Sequence, residues 1–204
     1  MTIIIILVIL ALAFDLLNGI HDSSNIVATM ISSRAFSPQV ALGITAICEF
    51  SGPFIFGVAV AKTIGHEIIA ADAISLEVLI AALAGAILWN VLTWFLGIPS
   101  SSSHAIVGGL LGAVLVGAGA QAVQLQGIGK VLIALFTSPI IGLVFGFVIT
   151  KLVYLLIARA SVGINVVFKR GQIVTAMALA LSHGANDAQK SMGIITLALV
   201  IGGY

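Results

Sequence analysis

Charge is what this sequence has least of. Of 204 residues only 7% are Asp, Glu, Lys or Arg, against 61% hydrophobic. A soluble domain carries about 25% charged residues because its surface must face water. Eight basic and seven acidic side chains cannot clothe a globule of this size, and at a mean hydropathy of +1.28 lipid has to cover the rest. The net charge of +1 argues against nucleic acid as a partner, because binding a phosphate backbone needs clustered Lys and Arg. Cys48 is the only cysteine, so no intrachain disulfide can form. No Lys or Arg precedes Arg34, whereas a secretory leader opens on a positively charged region. Ala11-Leu12-Ala13 is therefore not read as a cleavage site, and Thr2 to Leu17 is read as part of a retained helix.

What is present is apolar length. A spanning helix needs about 20 mostly apolar residues, which predicts spans over 3–33, 38–60, 76–96, 104–120, 131–158 and 173–202. The 22 glycines fit membrane helices packed through small side chains. The 159–170 segment holds Arg159, Lys169 and Arg170 and no acid, so the positive-inside rule makes it cytoplasmic. Five crossings before it put the N-terminus outside, Arg34 inside and the 62–77 loop outside.

The first and last spans are interrupted by polar residues. Asp15 to Asn25 reads DLLNGIHDSSN and Ser182 to Lys190 reads SHGANDAQK, each between apolar flanks too short to cross alone. Joined across the polar segment each pair is long enough, which is the form of a broken helix holding a site near the midplane. Gly19 precedes Asp22 by three residues, as Gly184 precedes Asp187. An odd number of crossings separates the two, so they read as an inverted repeat, the architecture of alternating access. The expected organisation is a first transmembrane repeat over 1–158, a cytoplasmic linker over 159–172, and the start of a second repeat over 173–204.

A carboxylate at mid-bilayer is costly unless partnered, and so is a functional candidate by default. Asp22 and Asp187 are the strongest, with Asn25 and Asn186 adding amide oxygens suited to a hard monovalent cation. Their bland reading is mutual bonding between two helices. The run Pro99-Ser100-Ser101-Ser102-Ser103-His104 precedes the apolar Ala105 to Val116. Helix N-termini bind anions through free N–H groups and the dipole, and the hydroxyls add donors for a tetrahedral oxyanion. An ordinary serine cap at the membrane surface explains the same run equally well. Lys190 either neutralises Asp187 or contacts the anion. Glu49 is a candidate relay, as is His104, while Asn90 reads as an interhelical hydrogen bond. No HxxxH or Cys/His cluster points to a metal beyond a monovalent cation, so His21, His104 and His183 read as polar neighbours of the interruptions.

NGIHDSSN, SHGANDAQK and the Trp89 to Ala113 stretch with its GIPSSSSHAIVGGLLGA run together resemble the inorganic phosphate transporter (PiT) family over essentially the whole chain. The resemblance implies an all-α integral membrane protein, an inverted-repeat transporter with broken helices and a serine-rich re-entrant hairpin. It implies Ser101, Ser102 and Ser103 at phosphate, and Asp22 and Asn25 with Asn186 and Asp187 at the cation sites and near the anion. It also implies sodium- or proton-coupled phosphate transport across the cell membrane, no cofactor, no enzymatic activity and a homodimer. One departure stands out. Asp22 precedes Ser101 by about 80 residues, and the same spacing after Asp187 runs beyond Tyr204, so the second repeat is expected to be cut off, with a second chain or half needed for activity. Two other classes fit the residues less well. An intramembrane serine hydrolase lacks a GxSxG elbow and leaves the paired Asp segments unexplained. A channel or divalent-metal carrier accounts for the acids but not for the serine run.

Overall fold

The computed structural model describes residues 1–57 and 73–204. Helix α1, Thr2–Ser32, ends where Arg34 takes a left-handed φ of 55°. That turn sends the Arg34 and Ala35 N–H groups back to the carbonyls of Ile31 and Met30 at 3.0 and 3.1 Å. Ser37 then caps α2, Pro38–Phe56, with Pro38 in the first turn, where the missing N–H costs nothing. Ser75 caps α3, Leu76–Leu96, by accepting from Val78 N at 3.3 Å. Gly97, at φ 65°, closes α3 and reverses the chain into α4, Ser102–Gly117. A 3-10 turn at Ala120–Ala122 leads to α5, Leu125–Ile157, and α6, Ile164–Ile201, completes the order. Residues 58–60 of the 38–60 span and 62–72 of the 62–77 loop lie outside the described residues.

Among the described residues α1, α2, α3, α5 and α6 are long and apolar enough to cross a membrane, which makes this a multi-pass membrane protein. Helix α4 has 16 residues, about 24 Å against a hydrocarbon core of about 30 Å. The orientation expected from the sequence counted it as a full crossing, so that count rests on one helix too short to qualify.

Packing is unequal. Leu7 and Phe14 of α1, Leu83 of α3, Ile106 and Leu110 of α4 and Ile194 of α6 meet in one buried core. Helices α2 and α6 cross backbone to backbone. A Cβ on Gly52 would run into the Leu181 carbonyl, and one on Gly184 would overlap the backbone of Glu49. Helix α5 stands apart: among the described residues it buries Gly127 alone.

The structure departs from the sequence expectation on the interruptions. Helix α1 runs unbroken through Asp15–Asn25, and α6 runs unbroken from Ile164 through Ser182–Lys190. Neither polar segment contains proline. Asp15, Asn18, Asp22 and Asn25 recur at steps of three, four and three residues, which places them on one face of a continuous helix. Asn18 and Asp22 face Asp187 and His183 of α6 at 2.6 and 3.6 Å, while Asn25 is exposed. The early start of α6 also leaves only 158–163 between helices, shorter than the expected 159–172 linker.

Candidate functional site

Three helices bring their polar faces together where the tip of the α3–α4 hairpin meets α1 and α6. On α6, His183, Asp187 and Lys190 follow at four- and three-residue steps and share a face. The close α2–α6 crossing, permitted by Gly52 and Gly184, brings Glu49 beside His183. The His183 ring lies among acids: Nδ1 is 3.0 Å from Glu49 Oε1, and Nε2 is 3.1 Å from Asp187 Oδ2 and 3.6 Å from Asp22 Oδ2. Both ring nitrogens thus face carboxylates, an arrangement that a doubly protonated ring satisfies with two donors.

Asp187 is the most heavily bonded group. Its Oδ2 accepts from Asn18 Nδ2 at 2.6 Å and its Oδ1 from Lys190 Nζ at 2.6 Å. Lys190 also donates to Ser102 Oγ at 2.9 Å, tying α6 to the start of α4. At that start Ser101 is the cap. Its Oγ accepts from His104 N at 3.4 Å and its carbonyl accepts from Ala105 N at 3.0 Å. The N–H groups of Ser102 and Ser103 are left without intrahelical acceptors, as at any helix start. Trp89 Nε1 donates to Ser100 Oγ at 3.0 Å and pins the hairpin tip.

A cleft of about 330 Å³ opens over this arrangement, lined by Asp22, Asn25, Ile26, Ser100 to Ser103, Leu179, His183, Asp187 and Lys190. One wall is a helix N-terminus rich in hydroxyls, which suits an oxyanion. The other wall carries two acids, Asp22 and Asp187, and two bases, His183 and Lys190, with further acids outside the lining. Asp15 lies one turn before Asn18, half-buried and within electrostatic reach of Asp187, Lys190 and Glu49. Among the described residues the cluster then holds four carboxylates, Asp15, Asp22, Glu49 and Asp187, against two bases, His183 and Lys190.

Most of the residues singled out from the sequence converge here: Ser101, Ser102, Ser103, Asp22, Asn25, Asp187, Lys190 and Glu49. Two do not. Asn186 is exposed in a different depression, with Phe56, Ser182, Ala185 and Gln189. An unwound backbone would have let it join Asp187, but on a continuous helix adjacent residues point about 100° apart. His104 is exposed and is not among the residues lining the cleft. Conversely, sequence reasoning missed Asn18 and Asp15 and gave His183 only a neighbour's role. The three-four-three spacing along α1 was the signal for the first two. The histidine had only its four-residue step to Asp187, because its other acids come from α1 and α2. Asp22, His183 and Asp187 bring one ligand atom each to within 4.8 Å of one another, a trio that the absence of a sequence-level His cluster did not lead one to expect.

Apolar helices around a buried ion-pair cluster, with a serine-bearing helix start beside it, define a polytopic membrane protein whose cleft suits an oxyanion and a cation together. The chain belongs to the phosphate transporter family, whose profile matches residues 18–167 and 158–202. It is 46% identical over 201 residues to a probable low-affinity inorganic phosphate transporter of Bacillus subtilis (strain 168), covering 96% of this chain and 60% of that protein. A protein of the same description from Streptomyces halstedii is 42% identical over 188 residues, covering 90% of this chain and 87% of the relative. A low-affinity inorganic phosphate transporter of Escherichia coli (strain K12) is 35% identical over 230 residues, with 96% and 46% covered. The chain thus spans 60% of the Bacillus relative's length and about half of the Escherichia one. A solved sodium-dependent phosphate transporter shares the fold, with a TM-score of 0.87 over 100% of this chain and 68% of that one, at 24% identity.

Proposed function

We propose that this chain forms the substrate cleft of a cation-coupled secondary transporter that carries inorganic phosphate across the cell membrane by alternating access. The observation that carries the reading is the juxtaposition of an anion-binding helix start with a cluster in which carboxylates outnumber bases. Two like unit charges 4 Å apart repel by about 4 kcal/mol at an effective dielectric constant near 20, roughly a thousandfold in affinity. Phosphate therefore settles beside this cluster only in company with cations. Ser101, Ser102 and Ser103, with the Lys190 ammonium, donate to the phosphate oxygens. Asp22 and Asn25 supply oxygens to the mobile cation, and Asp187 adds negative charge to the same region. Glu49 and His183 form a pair through which a proton can pass if coupling is to protons. The sodium-dependent fold relative supports sodium.

The chemistry is binding and translocation, with no covalent step, and the relatives named above are transporters. The protein works as a homodimer, with its N-terminus outside and the 159–170 segment in the cytoplasm, and with 1–158 and the region from 173 onward as inverted repeats. The test is uptake of radiolabelled phosphate into proteoliposomes under an imposed sodium or proton gradient, comparing the native chain with Asp22→Asn. Gradient-driven accumulation that the variant loses is the expected result. Uptake indifferent to both gradients, or unchanged in Asp22→Asn, overturns the coupling.

A further inference from the structure

The two aspartates of the cleft are not equivalent. Asp187 is 8% exposed and Lys190 3%. An ionised carboxylate offers about four acceptor positions. In Asp187 the amide of Asn18 and the ammonium of Lys190 already occupy two of them, at 2.6 Å each, and the ring of His183 stands 3.1 Å from Oδ2. A mobile sodium ion needs oxygen lone pairs facing open space, and here it would have to displace an ammonium held one turn further along the same helix. Asp22 differs on each count. Its nearest ion-pair partner, His183 Nε2, stands at 3.6 Å, beyond hydrogen-bond reach, and it lines the open cleft next to the exposed Asn25.

We propose that Lys190 is a built-in counter-cation: its ammonium fills the position at Asp187 that a mobile cation would otherwise take, and bridges that carboxylate to Ser102 at the anion-binding helix start. The open cation position is then the Asp22–Asn25 side alone. Asp187 and Ser102 use two of the three N–H donors of Lys190, which leaves one for an oxyanion docked on the serines. The tethered charge thus serves both walls of the cleft. It makes part of the positive charge accompanying the substrate permanent instead of borrowed from solution. The transport consequence rests on the phosphate reading, but the occupancy of Asp187 does not.

The experiment counts bound radioactive sodium per chain in lipid nanodiscs without phosphate, for the native chain, Lys190→Ala, Lys190→Arg and the double variant Lys190→Ala/Asp187→Asn. Lys190→Ala should bind one more sodium ion than the native chain, and the double variant should lose that gain. Lys190→Arg should match the native count. Methylammonium should compete for the additional site in Lys190→Ala and leave the native count unchanged. A Lys190→Ala count equal to the native one, or a gain that survives Asp187→Asn, overturns the proposal. If Lys190→Ala does not fold, judged by its helical circular dichroism, Lys190→Gln carries the same expectation. The readout is a difference in sodium count, so it is independent of phosphate. A native chain that takes up no phosphate would sink the transport reading and leave this result standing or falling by itself.

Discussion

Replacing Gly184 by alanine should loosen the molecule, whereas the same change at Gly19 should tighten it, although both glycines stand three residues before an aspartate in an apolar helix. An ideal Cβ at Gly184 would stand 2.6 Å from the carbonyl carbon of Glu49, with the Glu49 Cα and carbonyl oxygen nearer still. Carbon atoms rest at about 3.5–4.0 Å, so α2 and α6 must part by about 1 Å. Such overpacking costs about 1–3 kcal/mol. The same shift carries Glu49 Oε1 from 3.0 Å to roughly 4 Å from His183 Nδ1, weakening that ion-pair contact. A Cβ at Gly19 meets nothing within 4 Å. There alanine gains about 0.5–1 kcal/mol through reduced backbone entropy in the unfolded chain. Equilibrium unfolding in mixed micelles, followed by tryptophan fluorescence, reads both changes on one scale. A Gly184→Ala protein as stable as the native one, or Gly19→Ala and Gly184→Ala shifting in the same direction, would refute the backbone-to-backbone crossing.

Three further outcomes follow from the site. Lys190→Met should destabilise the fold by about 1–3 kcal/mol, because Asp187 Oδ1 loses its Lys190 donor while Asn18 and His183 stay at Oδ2, and Lys190→Met/Asp187→Asn should recover most of that loss in the same unfolding assay. Ser102→Ala removes an acceptor of the Lys190 ammonium and a hydroxyl from the anion wall. It should weaken phosphate binding by about 10–100-fold, the range for a hydrogen bond to a charged group, as measured by equilibrium dialysis. In a Cys48→Ala background, a cysteine placed at Arg159 should react with an impermeant maleimide only from the cytoplasmic side of oriented vesicles. Labelling from outside reverses the proposed topology.

The apolar runs gave most described helix ends to within three residues because lipid tolerates little else over that length, but α5 and α6 start six and nine residues before the expected spans. Ser37, Ser75 and Ser101 cap three helix starts as side-chain acceptors for an orphaned N–H, though only the run holding Ser101 is read as a cap from the sequence. What the pattern did not reveal was continuity. A stretch such as DLLNGIHDSSN is polar by composition, yet its acids and amides fall on one helical face. Composition suggests unwinding where spacing permits a helix. The same misreading pulled Asn186 into the site beside Asp187. The isolation of α5 was equally hidden, because a leucine or isoleucine facing lipid looks the same in sequence as one facing another helix. The role of His183 depended on two glycines of different helices meeting, and a local pattern does not report such an encounter.

The ion-pair cluster also imposes a timetable. Asn18 and Asp187 are 169 residues apart in the chain, so at about 5–20 residues per second of synthesis α1 waits roughly 10–30 s for its partner on α6. Throughout that interval the carboxylates of α1 and α2 are in place while His183 and Lys190 do not yet exist. A ribosome stalled between α5 and α6 would leave them without their bases for good. The nascent chain therefore carries these acids without their bases, open to membrane quality control, until α6 emerges.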